Sequence, residues 1–233
     1  MTTWPNRLVA RVQTLSADAL RDLVEDRGGA PGILRERDFS GETLRGIGLG
    51  GWTFEDCVLD DAVLTGADLS GSRWRGGSAK QAKLIDADLV DAHFHAVDLS
   101  RARLTGSLLT DTVFDGCRAM GAYLDRTRGL NVRLQGCNFY AANLDGLTCG
   151  GKPLLHNRFD ESTLRKADLH DCVLDGSSLN GADLAGARLD GADLREATLG
   201  ECDLERLTHL AGAIISPEQA AAMLAEAVRL VVA

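Results

Sequence analysis

The chain is poor in aromatic residues, at 5%, and in lysine, which supplies only four of its 25 basic side chains. It also lacks any apolar run near the ~18 residues that a membrane-spanning helix requires, so no membrane partner is expected. Met1-Thr-Thr-Trp-Pro5 is not followed by a charged and then apolar segment, so no secretory signal is expected and the location is expected to be cytoplasmic. Positive charge is in deficit: 25 bases face 34 acids, a net charge of −9. Wrapping nucleic acid through its phosphates needs a basic surface, so direct nucleic-acid binding is not expected. A core with few aromatics must be filled by leucine and small residues in some regular way.

That regularity is a five-residue repeat. From Phe39 to Leu204 the centres of 34 units fall at every fifth residue without a slip in register. Leucine fills 23 centres, and all six phenylalanines of the chain fill six more; the exceptions are Trp74, Ala79, Ala119, Gly129 and Cys149. Two residues before each centre lies a small residue in 27 of 34 units, the misfits being Arg37, Glu42, Ile47, Trp52, Leu147, Lys152 and Asn157. A helix would smear a five-residue period around its whole surface, and one long strand would alternate it between two faces. The chain must therefore turn at every unit, so that all centres point to one axis and coils stack at about 4.8 Å, as neighbouring strands do. Of the 26 glycines, 16 lie two residues after a centre, where the chain turns.

Units such as Ala67-Asp-Leu-Ser-Gly71 and the run Ala182-Asp-Leu, Ala187-Arg-Leu, Ala192-Asp-Leu, Ala197-Thr-Leu resemble those of pentapeptide-repeat proteins. The resemblance implies an all-β fold, a right-handed quadrilateral β-helix with four units per coil, in a rod about 40 Å long at strand spacing. Residues 38–206 are expected to form this array. Residues 147–158, with large inward residues in succession, are expected to hold either an inserted loop or an irregular coil.

Both flanks read as helical caps. In residues 1–37, Ser16 precedes a helix with Leu20, Leu23 and Val24 on its apolar face, an Arg21–Glu25 pair, and Gly28-Gly29 as its stop. In residues 207–233, Ser216-Pro-Glu-Gln219 combines an N-cap, a proline at the first helical position and a capping-box glutamine. The following helix offers Met223, Leu224, Ala227, Val228 and Val231 either to a simple cap or to a homodimer interface, since the apolar tail beyond it needs cover.

Catalytic patterns are missing. Cys57, Cys117, Cys137, Cys172 and Cys202 fall at the small inward position and Cys149 at a centre, which assigns all six to packing rather than to disulfides or metal. His93 and His95 flank Phe94 and should point outward; neither His156 nor His170 completes a ligand set for them, and His209 has no evident partner. No serine sits on a G-x-S-x-G elbow and no phosphate-binding glycine loop opens a helix. No catalytic, cofactor-binding or metal-binding residue is assigned, no cofactor is expected, and the chain reads as not an enzyme.

The surface remains. Residues 20 apart stack on one face, and one face carries Asp68, Asp88, Asp91, Asp111, Asp168, Asp171 and Asp190 against Arg128 and Arg188. Along the chain, 159–204 holds 11 acids and four bases, and 118–158 holds six bases and two acids. Such charge serves either solubility or recognition. The acidity, the scarcity of lysine, the length of the array and the tail from Gly212 resemble the MfpA/Qnr group of pentapeptide-repeat proteins. That resemblance implies DNA mimicry: a non-catalytic protein that binds a bacterial type II topoisomerase (DNA gyrase) through the acidic face and protects it from, or competes with, poisons such as fluoroquinolones. The alternative is a general scaffold of the same fold with another protein partner.

Overall fold

The protein, described by a computed structural model over residues 13–227, is a parallel β-solenoid closed by helices at both ends. Its element is the corner. In Leu64-Thr-Gly-Ala67 the Ala67 N–H donates to the Leu64 carbonyl at 3.1 Å, with Gly66 at φ +65°. Such a turn, left-handed at its third residue, favours glycine. A left-handed corner recurs every five residues from Glu36 to Gly191, shared equally between 16 glycines and 16 other residues. Aspartate or asparagine just before a centre closes the other side of the unit: Asp68 Oδ1 accepts from the Ser70 N–H at 3.0 Å, and Asn138, Asn143 and Asp183 repeat the pattern.

Coils stack 20 residues apart. Strands β2 (Ile33–Arg35), β4 (Thr53–Glu55), β5 (Arg73–Arg75), β6 (His93–His95), β7 (Val113–Asp115) and β8 (Arg133–Gln135) form one six-stranded parallel sheet in that order. Single bridges carry the same face on through Pro153–Val173, Val173–Asp193 and Asp193–Ile214. The axis is filled by side chains. Phe54, Trp74, Phe94 and Phe114 stack with centroids 4.0, 5.3 and 5.0 Å apart, and the buried Trp74 indole N–H donates to Ser72 Oγ at 2.9 Å. Ala79 and Ala119, the alanine centres, are buried next in the chain after Trp74 and Phe114, whereas Phe54 and Phe94 are followed by the buried Leu59 and Leu99.

Residues 147–158 contain no inserted loop. Thr148–Asp168, Pro153–Val173 and Arg158–Ser178 all pair at the regular spacing. Asn157 is tolerated fully buried at its inward position because both its polar side-chain atoms have partners: Nδ2 donates to the Leu134 carbonyl and Oδ1 accepts from the Cys137 N–H, both at 2.9 Å. The local distortion is instead at Gly129, whose φ is +120° and where a Cβ would come within 2.5 Å of the Thr110 nitrogen; the adjacent Leu130 is left 61% exposed.

The array also differs at its ends from the 38–206 range. Leu34 is a buried centre one unit earlier, and β1 (Gln13–Thr14) pairs in parallel with β3 (Arg37–Asp38). At the far end Leu204 is exposed as the first residue of α2 (Leu204–His209), so Leu199 is the last buried centre of the regular series. After α2 the chain returns to the ladder, with the Leu194 N–H donating to Ile214 and the Ile214 N–H to Ala192.

Both caps are side-chain devices. Helix α1 (Ala17–Asp26) is capped by Ser16 Oγ, which accepts from the Ala19 N–H, and Leu20 plugs the open coil. Glu42, a misfit in the repeat, accepts from the Ala17 N–H at 3.0 Å, a carboxylate at a helix N-terminus. Leu23 is exposed, and Arg21 donates to the Thr43 and Arg45 carbonyls in place of the expected pair with Glu25. Ahead of α3 (Pro217–Ala227), Ser216 and Gln219 exchange the two bonds of a capping box, at 2.7 and 3.2 Å. Gln219 Nε2 also donates to the Leu194 and Ala197 carbonyls, and Arg206 donates to those of Leu179, Ala182 and Leu199. Five carbonyls of the last coils thus find donors without another strand. No helix among the described residues is long and apolar enough to cross a membrane.

Candidate functional site: the acidic face

The coil geometry brings Asp68, Asp88, Asp91, Asp111, Asp168, Asp171 and Asp190 to one side of the rod, but in two groups. Asp68 and Asp88 are register neighbours, and Asp91 and Asp111 stand on the adjoining corner. Asp168, Asp171 and Asp190 lie three coils further on. Between the groups the same face presents Leu108, Arg128 and the exposed Leu130 beside the Gly129 distortion.

The seven carboxylates are not equivalent. Asp68 and Asp88 each give one oxygen to a backbone N–H of their own unit. Asp91, Asp111 and Asp171 occupy left-handed corners at φ 56°, 57° and 52°. Asp168 is the most engaged, held by His170 Nδ1 at 2.7 Å and Arg188 Nη1 at 3.4 Å. Partial burial pushes its carboxyl up, but His170 and Arg188 outweigh that and leave it below the ordinary carboxylate range. Arg188 also lies 3.7 Å from the exposed Asp190. The stronger free anionic character therefore belongs to the group around Asp88, Asp91 and Asp111.

The remaining candidates are dispersed. All six cysteines are buried and unpaired; burial pushes the Cys172 thiol up to about 11. His93 and His95 are exposed, as their positions in β6 predict, and His95 Nδ1 lies 2.8 Å from Asp115 Oδ2. No cluster of three histidine, cysteine, aspartate or glutamate residues suited to a metal occurs among the described residues. Within α3, Met223 is packed into the end of its own rod, 5% exposed, and so belongs to the cap; Leu224 is 50% exposed, Ala227 is half-buried, and Val228 and Val231 lie outside the described residues. A feature not apparent from the repeat is an open hollow of about 730 Å3 between the last coils and helices α2 and α3, where Arg165, Asp183, Arg206, His209 and Glu226 meet. It forms only because α2 interrupts the five-residue pattern.

This architecture defines a β-solenoid with a filled axis. Family models described as pentapeptide repeats match residues 59–103 and 167–206, and the array is a pentapeptide-repeat solenoid. No curated protein matches the chain in sequence. Among solved structures, the chain is similar to a trypsin-treated variant of QnrB1, a plasmid-mediated fluoroquinolone resistance protein, at 23% identity, 88% coverage of this chain, 100% of the other and a TM-score of 0.62. Full-length QnrB1 gives 19% identity, 84% and 98% coverage and a TM-score of 0.52. These likenesses establish the shared fold.

Proposed function

We propose that this protein is a non-catalytic mimic of DNA that binds a bacterial type II topoisomerase through its acidic face and competes there with DNA, protecting the enzyme from fluoroquinolone-type poisons. The observation that carries this reading is the group of Asp68, Asp88, Asp91 and Asp111, fixed at strand spacing on a rigid rod. A preorganised row of carboxylates meets a basic DNA-binding groove without ordering cost, and steers its own encounter at low salt. The solenoid shared with QnrB1, itself described as a fluoroquinolone resistance protein, supports the same class of partner. The test is supercoiling by purified gyrase with and without a fluoroquinolone. Inhibition, or rescue of the poisoned enzyme, is the expected result; neither effect, together with no binding at low salt, refutes the reading.

We further propose a homodimer formed through the outer side of α3, at Leu224 and Ala227 and continuing to Val228 and Val231. The half-exposed Leu224 supports it. Leu224→Asp is expected to halve the mass seen by sedimentation; a wild-type protein already monomeric at micromolar concentration rejects the dimer.

A further inference from the structure

The corner diagonally opposite Asp91 and Asp111 holds a cationic stretch at its middle, between Asp61 and Glu161. Residues 61, 81, 101, 121, 141 and 161 succeed one another along it at one per coil. Here Lys83, Arg101 and Arg103 line an open groove of about 430 Å3 together with Tyr123. Lys83 and Arg103 are register neighbours, as are Arg103 and Tyr123. All three cations are exposed, and none forms an ion pair among the described residues, whereas nearby Lys80 and Arg118 are engaged by Asp60 and Asp98. Tyr123, 46% exposed, lies with its ring 6.0 Å from the Arg103 guanidinium. In a chain of net charge −9, three unpaired cations around one exposed aromatic ring are a local reversal that solubility does not require.

The ends of the groove limit what it accepts. Asp61 closes it on one side, and beyond Ala141 the same corner continues with exposed Glu161. About five coil spacings, roughly 24 Å, separate the two carboxylates. A continuous polyanion such as a nucleic-acid strand would run into both of them. A short extended acidic peptide, rising about 3.3 Å per residue, fits between them with some six residues. Its carboxylates are suited to the forked donors of Arg101 and Arg103, and its backbone to the Tyr123 ring.

We propose that this groove is a second binding site, distinct from the acidic face, for a short acidic segment of a protein partner. The rod would then hold two surfaces of opposite charge on opposite corners. Binding of fluorescein-labelled hexaglutamate to the full chain at low salt, followed by anisotropy, tests this. The wild type is expected to bind, and the double variant R101E/R103E to bind about tenfold or more weakly. Tyr123→Ala should weaken binding by a smaller factor, and added salt should reduce it throughout. A 20-nucleotide oligothymidylate is expected to bind less well than hexaglutamate. Failure of the peptide to bind, binding unchanged in the double variant, or tighter binding of the oligonucleotide overturns the proposal. Because these side chains project from the surface, circular dichroism of the double variant is expected to match the wild type. The outcome is independent of whether the acidic face binds a topoisomerase.

Discussion

Replacing Leu184 with lysine is expected to destabilise the C-terminal coils by about 4 kcal/mol or more, since it puts an ammonium among the apolar side chains of the axis in place of a buried leucine. Leu184 is 1% exposed on the axis. Its axial neighbours are the centres of its own coil and of the coil before it, since Leu204, 20 residues on, is turned outward in α2, so the damage should be regional, because each coil of a solenoid contacts only the next. Hydrogen exchange is expected to show lost protection around residues 160–200 while amides near residues 60–100 stay slow. Leu184→Met, which keeps the volume, should cost below about 1.5 kcal/mol. Equal loss of protection along the whole rod would mean that the array unfolds as one unit.

The second large effect concerns binding. Changing Asp88, Asp91 and Asp111 together to asparagine removes three charges from the less neutralised acidic group. Asparagine keeps the oxygen by which Asp88 accepts the Val90 N–H, and it tolerates the left-handed corners of Asp91 and Asp111. The fold should therefore survive with its unfolding free energy unchanged to within about 1 kcal/mol. Affinity for gyrase at low salt is expected to fall about tenfold or more, through slower association. Asp168 and Asp190 already face Arg188, so their neutralisation should matter less.

The coil was legible in the sequence because one period governs three independent positions. Leucine and phenylalanine mark the axis, alanine and cysteine the inward step, and glycine the corner. The register survives even where these identities fail. Asn157 stays in register because both its polar side-chain atoms have partners inside, and Trp52 because Gly32 leaves it space: a Cβ there would come within 2.7 Å of the indole. Neither compensation is local in sequence, which is why 147–158 left both a loop and an irregular coil open. Leu204 had the identity and spacing of a centre, yet Asp203 caps α2 at that point and turns the leucine outward. The acidic face was legible as a list of residues 20 apart, but its division was not. The Gly129 distortion and the engagement of Asp168 by His170 and Arg188 depend on side-chain positions that periodicity does not carry. The cationic corner was hidden in another way. A face total averages Lys83 and Arg103 with distant aspartates, whereas binding depends on the charge within a Debye length, about 8–10 Å at physiological salt.

The DNA-mimic reading is tested most directly by competition between this protein and a labelled DNA duplex for purified gyrase, measured at two salt concentrations. The account predicts that the wild-type rod displaces the duplex, less effectively at high salt, and that the Asp88, Asp91 and Asp111 triple asparagine variant displaces it poorly. Simultaneous binding of rod and duplex to the enzyme, or equal displacement by wild type and variant, would contradict it.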